Sequence, residues 1–146
     1  MANLLDVNVL IALIDPSHVA HDPAHAWFAA GGSVAWATSP LTENGLVRIV
    51  SHPRYPNAVG STAVAIDLLR SLRAHPGHRF WPDDLSLTDE GVVEPKHPVT
   101  SAKLTDAYLL ALAINNGGVL VTFDRGLSSL ANPAKRPFLL VLDASA

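Results

Sequence analysis

The stretch from Leu104 to Gly126, LTDAYLLALAINNGGVLVTFDRG, constrains the chain more than any other. It reads as an amphipathic helix with Asp106 in its early turns, a Gly117–Gly118 stop, and a buried strand from Val119 to Asp124. At about 1.5 Å per residue the helix descends ~15 Å between Asp106 and Asn116. At about 3.3 Å per residue the strand climbs ~17 Å back. One leg goes down and the other returns, so the two carboxylates finish at the same edge of the fold. Two acids at the top of a parallel sheet suggest a cation site.

The rest of the chain alternates in the same way. Leu4 and Leu5 make a short strand, and Val7 to Leu13 turns helical until Asp15–Pro16. Asp22–Pro23 carries the signature of an N-cap followed by proline at the first helical position, and Gly31–Gly32 stop that helix. Ser33 to Thr38 is the second strand, and Ser39–Pro40 repeats the cap signature before a helix through Leu46, Val47, Ile49 and Val50. Ser61 caps a long helix that ends before Pro76–Gly77. Arg79 to Trp81 reads as a short strand, and Pro82 to Pro98 as an exposed connection with a single helical turn. One more turn is expected over Gly126 to Ala131, and Phe138 to Leu142 is a last buried strand. Strands separated by helices indicate an α/β fold, a central parallel sheet of about five short strands flanked by helices in three α/β/α layers.

At 146 residues the expectation is one domain spanning 1–146, large enough to bury a core without disulfides or a structural metal. There is no cysteine, which excludes thiol catalysis and cysteine-ligated zinc and is compatible with a cytoplasmic location. The apolar N-terminus lacks a basic region and contains Asp6, so it reads as strand and helix rather than as a signal peptide. No run approaches membrane-spanning length. The net charge of −3 gives no global attraction to nucleic acid, so any RNA binding must come from local basic residues and bound cations.

In open parallel sheets, ligands bind at the carboxyl ends of the strands. Asp6 follows the first strand and Glu43 follows the second, joining Asp106 and Asp124 at that edge. Four carboxylates in one place repel, and one or more would protonate at neutral pH unless a cation compensates. Hard ions such as Mg²⁺ or Mn²⁺, with oxygen ligands and retained waters, meet that need. If locally extended, Asn8 and Thr122 share a face with Asp6 and Asp124 and supply neutral oxygens. Such a site activates water and neutralises phosphate oxygens during an in-line displacement. Taken singly, each acid has a plainer reading: Asp6 as a helix cap, Glu43 and Asp106 as acids favoured by a helix dipole, Asp124 as a turn residue. Their convergence argues against all four at once.

The remaining acids read as structural. Asp22 is a cap and Asp67 a solvated partner of Arg70, while Asp83 or Asp84 follows a strand and is open as a fifth, outer acid. His18, His21 and His25 have ligand-like spacing, but a helix starting at Asp22–Pro23 would keep them off one helical face. His75 and His78 look like a pair. Trp27, Trp36 and Trp81 read as core anchors.

At these residues the sequence resembles the PIN-domain ribonucleases and, within them, the VapC toxins of bacterial toxin–antitoxin pairs. LLDVNVLIAL, SPLTENGLVRI, KLTDAYLLALA and VLVTFDRGL carry the resemblance over essentially the whole chain, with SHPRYPN and RFWPDDLSL pointing to one VapC branch. The resemblance implies a PIN-like domain and a Mg²⁺-dependent endoribonuclease, with Mn²⁺ able to substitute, that cuts structured RNA such as tRNA or ribosomal RNA loops. It implies a homodimer, a small cognate antitoxin whose C-terminal segment enters the acidic site, and products bearing a 5′-phosphate and a 3′-hydroxyl. In that picture Asp6, Glu43, Asp106 and Asp124 are catalytic and hold the metal, with Asn8 and Thr122 in support. Arg48, Arg54, Arg79 and Arg125 are candidates for RNA contact. Two alternatives remain: a catalytically weak PIN-like module that binds RNA or a partner protein, and a nuclease or phosphatase on DNA or small substrates. Asn8 stands where an aspartyl-phosphate phosphatase needs a second Asp.

Overall fold

The computed structural model describes residues 1–145. Five parallel strands form one sheet in the order β3-β2-β1-β4-β5: β1 (Asn3–Leu5), β2 (Trp36–Thr38), β3 (His78–Phe80), β4 (Val119–Thr122) and β5 (Leu139–Val141). The helices are α1 (Val7–Ile14), α2 (His21–Trp27), α3 (Pro40–Val50), α4 (Thr62–Arg73) and α5 (Leu104–Asn115). No described helix is long and apolar enough to cross a membrane.

The period-2 alternation of strand side chains builds two cores on opposite faces of this sheet. Leu4, Ala37 and Leu120 stand beside one another in register and pack with Leu109 and Leu112 of α5. Leu5, Trp36 and Val121 point the other way, onto Val9 of α1, Leu46 of α3 and Leu69 of α4. Hence the three layers, and hence the adjacent buried leucines Leu4 and Leu5 of β1, whose strand is covered on both faces. Leu4, Leu5 and Leu120 are fully buried, each worth about 1.5–3 kcal/mol of transfer free energy relative to exposure.

Local signals set most boundaries. Ser39 accepts from the Thr42 amide, the Thr42 hydroxyl accepts from the Ser39 amide, and Pro40 occupies the first turn, so α3 starts directly where β2 ends. Gly117 ends α5 at φ 65°, a left-handed conformation costly for other residues. Gly118 then lies so close to the Ala2 carbonyl that a Cβ would sit 2.4 Å from it, which lets β4 enter beside β1.

Several expectations need correction. The strands are shorter than the apolar runs, because pairing partners end: β2 begins only at Trp36 and β5 only at Leu139, after a 3₁₀ turn over Arg136–Phe138. The helical turn expected within Pro82–Pro98 forms later, at Ser101–Lys103. Helix α2 starts at His21 with Ala20 as its cap, so Asp22 lies in the first turn, and a wider turn from Phe28 follows it until Gly31, at φ 142°, stops the helix as expected. His21 and His25 consequently do share a face. Their rings lie 4.3 Å apart, and their nitrogens bond the Ala12 and Leu13 carbonyls, 2.7 Å each, left open at the end of α1. His75 and His78 do not form a pair: His75 sits against Phe28 and His78 against Trp36.

Candidate active site

The carboxyl edge of the sheet is where the sequence-predicted acids lie. Asp6 is the first residue after β1 and the N-cap of α1; its Oδ1 accepts from the Val7 amide at 2.7 Å. Capping and a place at the sheet edge therefore coexist in one carboxylate. The chain leaves the extended conformation here, so Asn8 belongs to α1 and not to a continued strand. It still reaches the site: its side-chain amide donates to Thr122 Oγ1 at 3.0 Å and lies 3.4 Å from Asp6 Oδ2, while its carbonyl accepts from the Phe123 amide. Thr122 Oγ1, fully buried at the end of β4, donates to Asp6 Oδ2 at 2.8 Å and accepts from the Asp124 amide at 3.0 Å. Asn8 and Thr122 thus tie β1 to β4 and orient the backbone that carries Asp124.

Asp124 itself is exposed, capping the 3₁₀ turn Arg125–Leu130 through the Gly126 amide. Asp106 is in the first turn of α5. The electrostatics join these two acids to Asp6. Burial pushes the Asp106 carboxyl up, and the charges of Asp6 and Asp124 push it further, to about 6, against a smaller opposing pull from Lys103. Burial also raises Asp6, with Thr122 and Val7 working against the rise and Asp124 adding to it. Three carboxylates from β1, α5 and β4 therefore form one mutually repelling set.

Glu43 stands apart from that set. It lies in the first turn of α3, but Glu43 is not among the charges acting on Asp6 or Asp106. Its Oε2 accepts from the buried Thr38 hydroxyl at 2.7 Å and lies 3.2 Å from a guanidinium nitrogen of Arg73 on α4. A groove of about 680 Å³ opens beside it between α3 and α4, with Arg70 and Arg73 in its wall. Asp83 turns to the start of α3 and accepts from the Leu41 amide at 2.8 Å. Arg125 lies 3.6 Å from Asp143, and Arg48, Arg54 and Arg79 are exposed.

Three residues of this region were not singled out from sequence, Thr38, Arg73 and Lys103, and His78 was read only as a pair with His75. Lys103 had a local signal, three residues before Asp106 at helical spacing. Thr38 had one too, five residues before Glu43 across the turn from β2 into α3, whereas Arg73 and His78 reach this corner only through the packing of α3 on α4 and the pairing of β2 with β3.

The donor set is all oxygen and all anionic, which suits a hard divalent ion. Among the described residues no three His, Asp or Glu side chains cluster tightly enough to form a protein cage for a metal. Mg²⁺ does not need one, since it is usually held by one or two carboxylates with waters and substrate phosphates completing the octahedron. The residues present fit such an ion, which would relieve the repulsion of Asp6 and Asp124 on Asp106, a carboxyl pushed up first by burial and then by those two charges.

A PIN-domain family model matches residues 4–133. Ribonuclease VapC44 of Mycobacterium tuberculosis (strain ATCC 25618 / H37Rv) is 44% identical over 133 residues, covering 91% of this chain and 93% of its own. Ribonuclease VapC39 of the same strain is 43% identical over 132 residues, 90% of this chain and 95% of its own. Ribonuclease VapC38 is 47% identical over 129 residues, 88% and 89% respectively.

Proposed function

This chain belongs to the PIN-domain family and, within it, to the VapC proteins, and from that premise we propose that it is a divalent-metal-dependent endoribonuclease, the toxin of a toxin–antitoxin pair. The observation that carries the reading is the repelling set of Asp6, Asp106 and Asp124 at the carboxyl edge of the sheet, with a raised Asp106 carboxyl. At this edge the hydrogen-bond donors to Asp6 do not offset its burial and the repulsion from Asp124. Relatives named as ribonucleases over nine-tenths of the chain support the substrate class.

In this reading Asp6, Asp106 and Asp124 hold Mg²⁺ or Mn²⁺, with Glu43 as the fourth carboxylate. The bound ion supplies an activated water and neutralises the phosphate oxygens. The chain's own residues do the rest. Thr122 and Asn8 keep the Asp6 carboxylate turned to the edge. The Asn8 carbonyl and the Thr122 hydroxyl hold the Phe123 and Asp124 amides, which places Asp124. Lys103 supplies a positive charge beside Asp106. Arg70, ion-paired with Asp67 in the wall of the groove beside Glu43, contributes in this reading to contact with backbone phosphates of the RNA. A structured RNA such as a tRNA or rRNA loop, a small antitoxin and a homodimer accompany this reading.

The test is RNA cleavage by the purified protein with Mg²⁺ or Mn²⁺ and with EDTA, alongside Asp6→Asn and Asp124→Asn. Metal-dependent new 5′-phosphate ends, lost in both variants with the fold intact, are expected. Variants that cut as fast as the native protein would sink the assignment. The second reading is a catalytically weak module that binds RNA or a partner. It is favoured by one observation, the engagement of Glu43 by Arg73. Growth arrest that survives Asp6→Asn would select it.

A further inference from the structure

The Glu43 carboxylate is held by side chains of two other elements, Thr38 of β2 and Arg73 of α4. Its Oε2 meets the Thr38 hydroxyl at 2.7 Å, and the same Thr38 oxygen lies 2.8 Å from His78 Nε2. The proton positions follow from the inventory of each group. An ionised carboxylate only accepts, so the single hydroxyl proton of Thr38 points to Glu43. The hydroxyl oxygen then has only lone pairs to offer, so His78 must carry its proton on Nε2 and donate. Burial, with a smaller contribution from the Arg73 charge, holds the imidazole down to about 4, so the ring is neutral and has one proton to place.

Both ends of this chain of hydrogen bonds are braced. Thr38 is fully buried at the end of β2, and the His78 ring packs edge-on against the buried Trp36 at 4.7 Å between centroids. Arg73 of α4 approaches the same Glu43 oxygen at 3.2 Å, its guanidinium 5.1 Å from the centre of the Phe80 ring. The strands β2 and β3 run parallel with Thr38 opposite Phe80, so the sheet itself sets the spacing. A buried threonine at a strand end could be satisfied by a backbone carbonyl. Spending its proton on a carboxylate while a histidine fixes the direction of that proton is an arrangement that orients the carboxylate.

We infer that Thr38 and His78 are positioning residues for Glu43: His78 Nε2–H sets the Thr38 hydroxyl, and that hydroxyl holds the Glu43 carboxylate in the orientation in which it serves the metal site. This rests on the proposed role of Glu43 as a carboxylate of that site. Neither residue touches the reacting atoms.

The test compares Thr38→Val and His78→Leu, which remove the hydrogen bonds at similar shape, with Thr38→Ser and His78→Gln, which restore a hydroxyl and an N–H. Glu43→Gln is the reference. Each protein is titrated with MnCl₂ alone by calorimetry, and cleavage of purified total RNA is scored as new 5′-phosphate ends. Thermal melting in EDTA checks the fold. Thr38→Val and His78→Leu are expected to weaken Mn²⁺ binding roughly tenfold, the lower end of the usual loss when a ligand's hydrogen-bond partner is removed. Thr38→Ser and His78→Gln should return close to native affinity. Native or tighter Mn²⁺ binding by Thr38→Val overturns the inference, as does a Thr38→Ser protein as weak as Thr38→Val. Should Thr38→Val fail to fold, the two His78 variants decide by the same criteria. If Glu43→Gln is impaired while Thr38→Val and His78→Leu are native, the inference alone fails. If Glu43→Gln itself binds Mn²⁺ and cuts RNA as the native protein does, the role of Glu43 fails and the inference with it.

Discussion

Helix α1 begins and ends on a buried aspartate, and the two behave in opposite ways. Asp6 at its start and Asp15 at its end are 6% and 7% exposed. Burial pushes both carboxyls up. At Asp15, donors outweigh it: the Tyr55 hydroxyl, the Asn57 amide at 3.0 Å and the Ser17 backbone at 2.9 Å hold the carboxyl below its ordinary value. At Asp6 the bonds from Thr122 and Val7 fall short, Asp124 repels, and the carboxyl stays raised. Burial is therefore no guide to role. What separates the two is whether the charge is spent on donors. Asp15 spends it in fastening the 51–60 connection to the end of α1. Asp6 has charge left over, at an edge shared with two more acids.

The sharpest way to break this comparison is to neutralise each end. Asp6→Asn should cut the metal-dependent cleavage rate by more than roughly a hundredfold, beyond the usual loss from removing a ligand's partner. It should leave the melting temperature in EDTA unchanged or higher, since a repelling charge is gone. Asp15→Ala should do the reverse, leaving the cleavage rate of the folded protein near native. It should cost about 2–3 kcal/mol in urea unfolding, because Tyr55 and Asn57 lose an ionised partner. Equal effects on rate and stability at the two ends would erase the distinction.

The pH dependence sharpens it. Asp106, at about 6, prefers its proton in the folded state, so its contribution to stability is fully present below the ordinary carboxylate value of 3.8. That contribution is lost as the pH rises through about 6. Asp15 is depressed, so its contribution is present above 3.8 and lost as the pH falls below it. Melting curves in EDTA should show Asp106→Asn flattening the decline between about pH 4 and 6, and Asp15→Asn flattening the loss on the acid side. Mg²⁺ added at pH 7.5 should raise the native melting temperature and leave that of Asp6→Asn nearly still. The smallest effect belongs to Tyr55→Phe, which removes one donor to Asp15. About 1 kcal/mol should be lost in urea unfolding, with cleavage unaffected.

Much of this was legible along the chain because it is local. The Ser39–Pro40 cap starts α3 where expected, Gly117 ends α5, and the helix-and-strand spacing carries Asp106 and Asp124 to one edge, where they repel each other. The Asp67–Arg70 pair on α4 is likewise as read, both partners well exposed. Asn8 shows the limit of the method. Its sharing of a face with Asp6 was expected only for an extended chain; the helix read from Val7 onward forms instead, and from α1 Asn8 still bonds Thr122. The pairing of His21 and His25 was missed because Asp22–Pro23 imitates a cap two residues too late. Ala20, with no side-chain bond at all, precedes the helix instead.

The sequence alone determined the layered parallel fold and the acids at strand ends, since apolar period, caps and glycines act within a few residues. Only the tertiary structure decided which acids share a field. Glu43 is drawn off by Arg73, thirty residues on, and by Thr38, which His78 of the neighbouring strand braces. Asp15 is quieted by Tyr55 and Asn57, forty and forty-two residues on. A carboxylate's charge is governed by what lies within a few ångströms of it, and for a buried side chain those neighbours come from other elements, at distances no local pattern encodes.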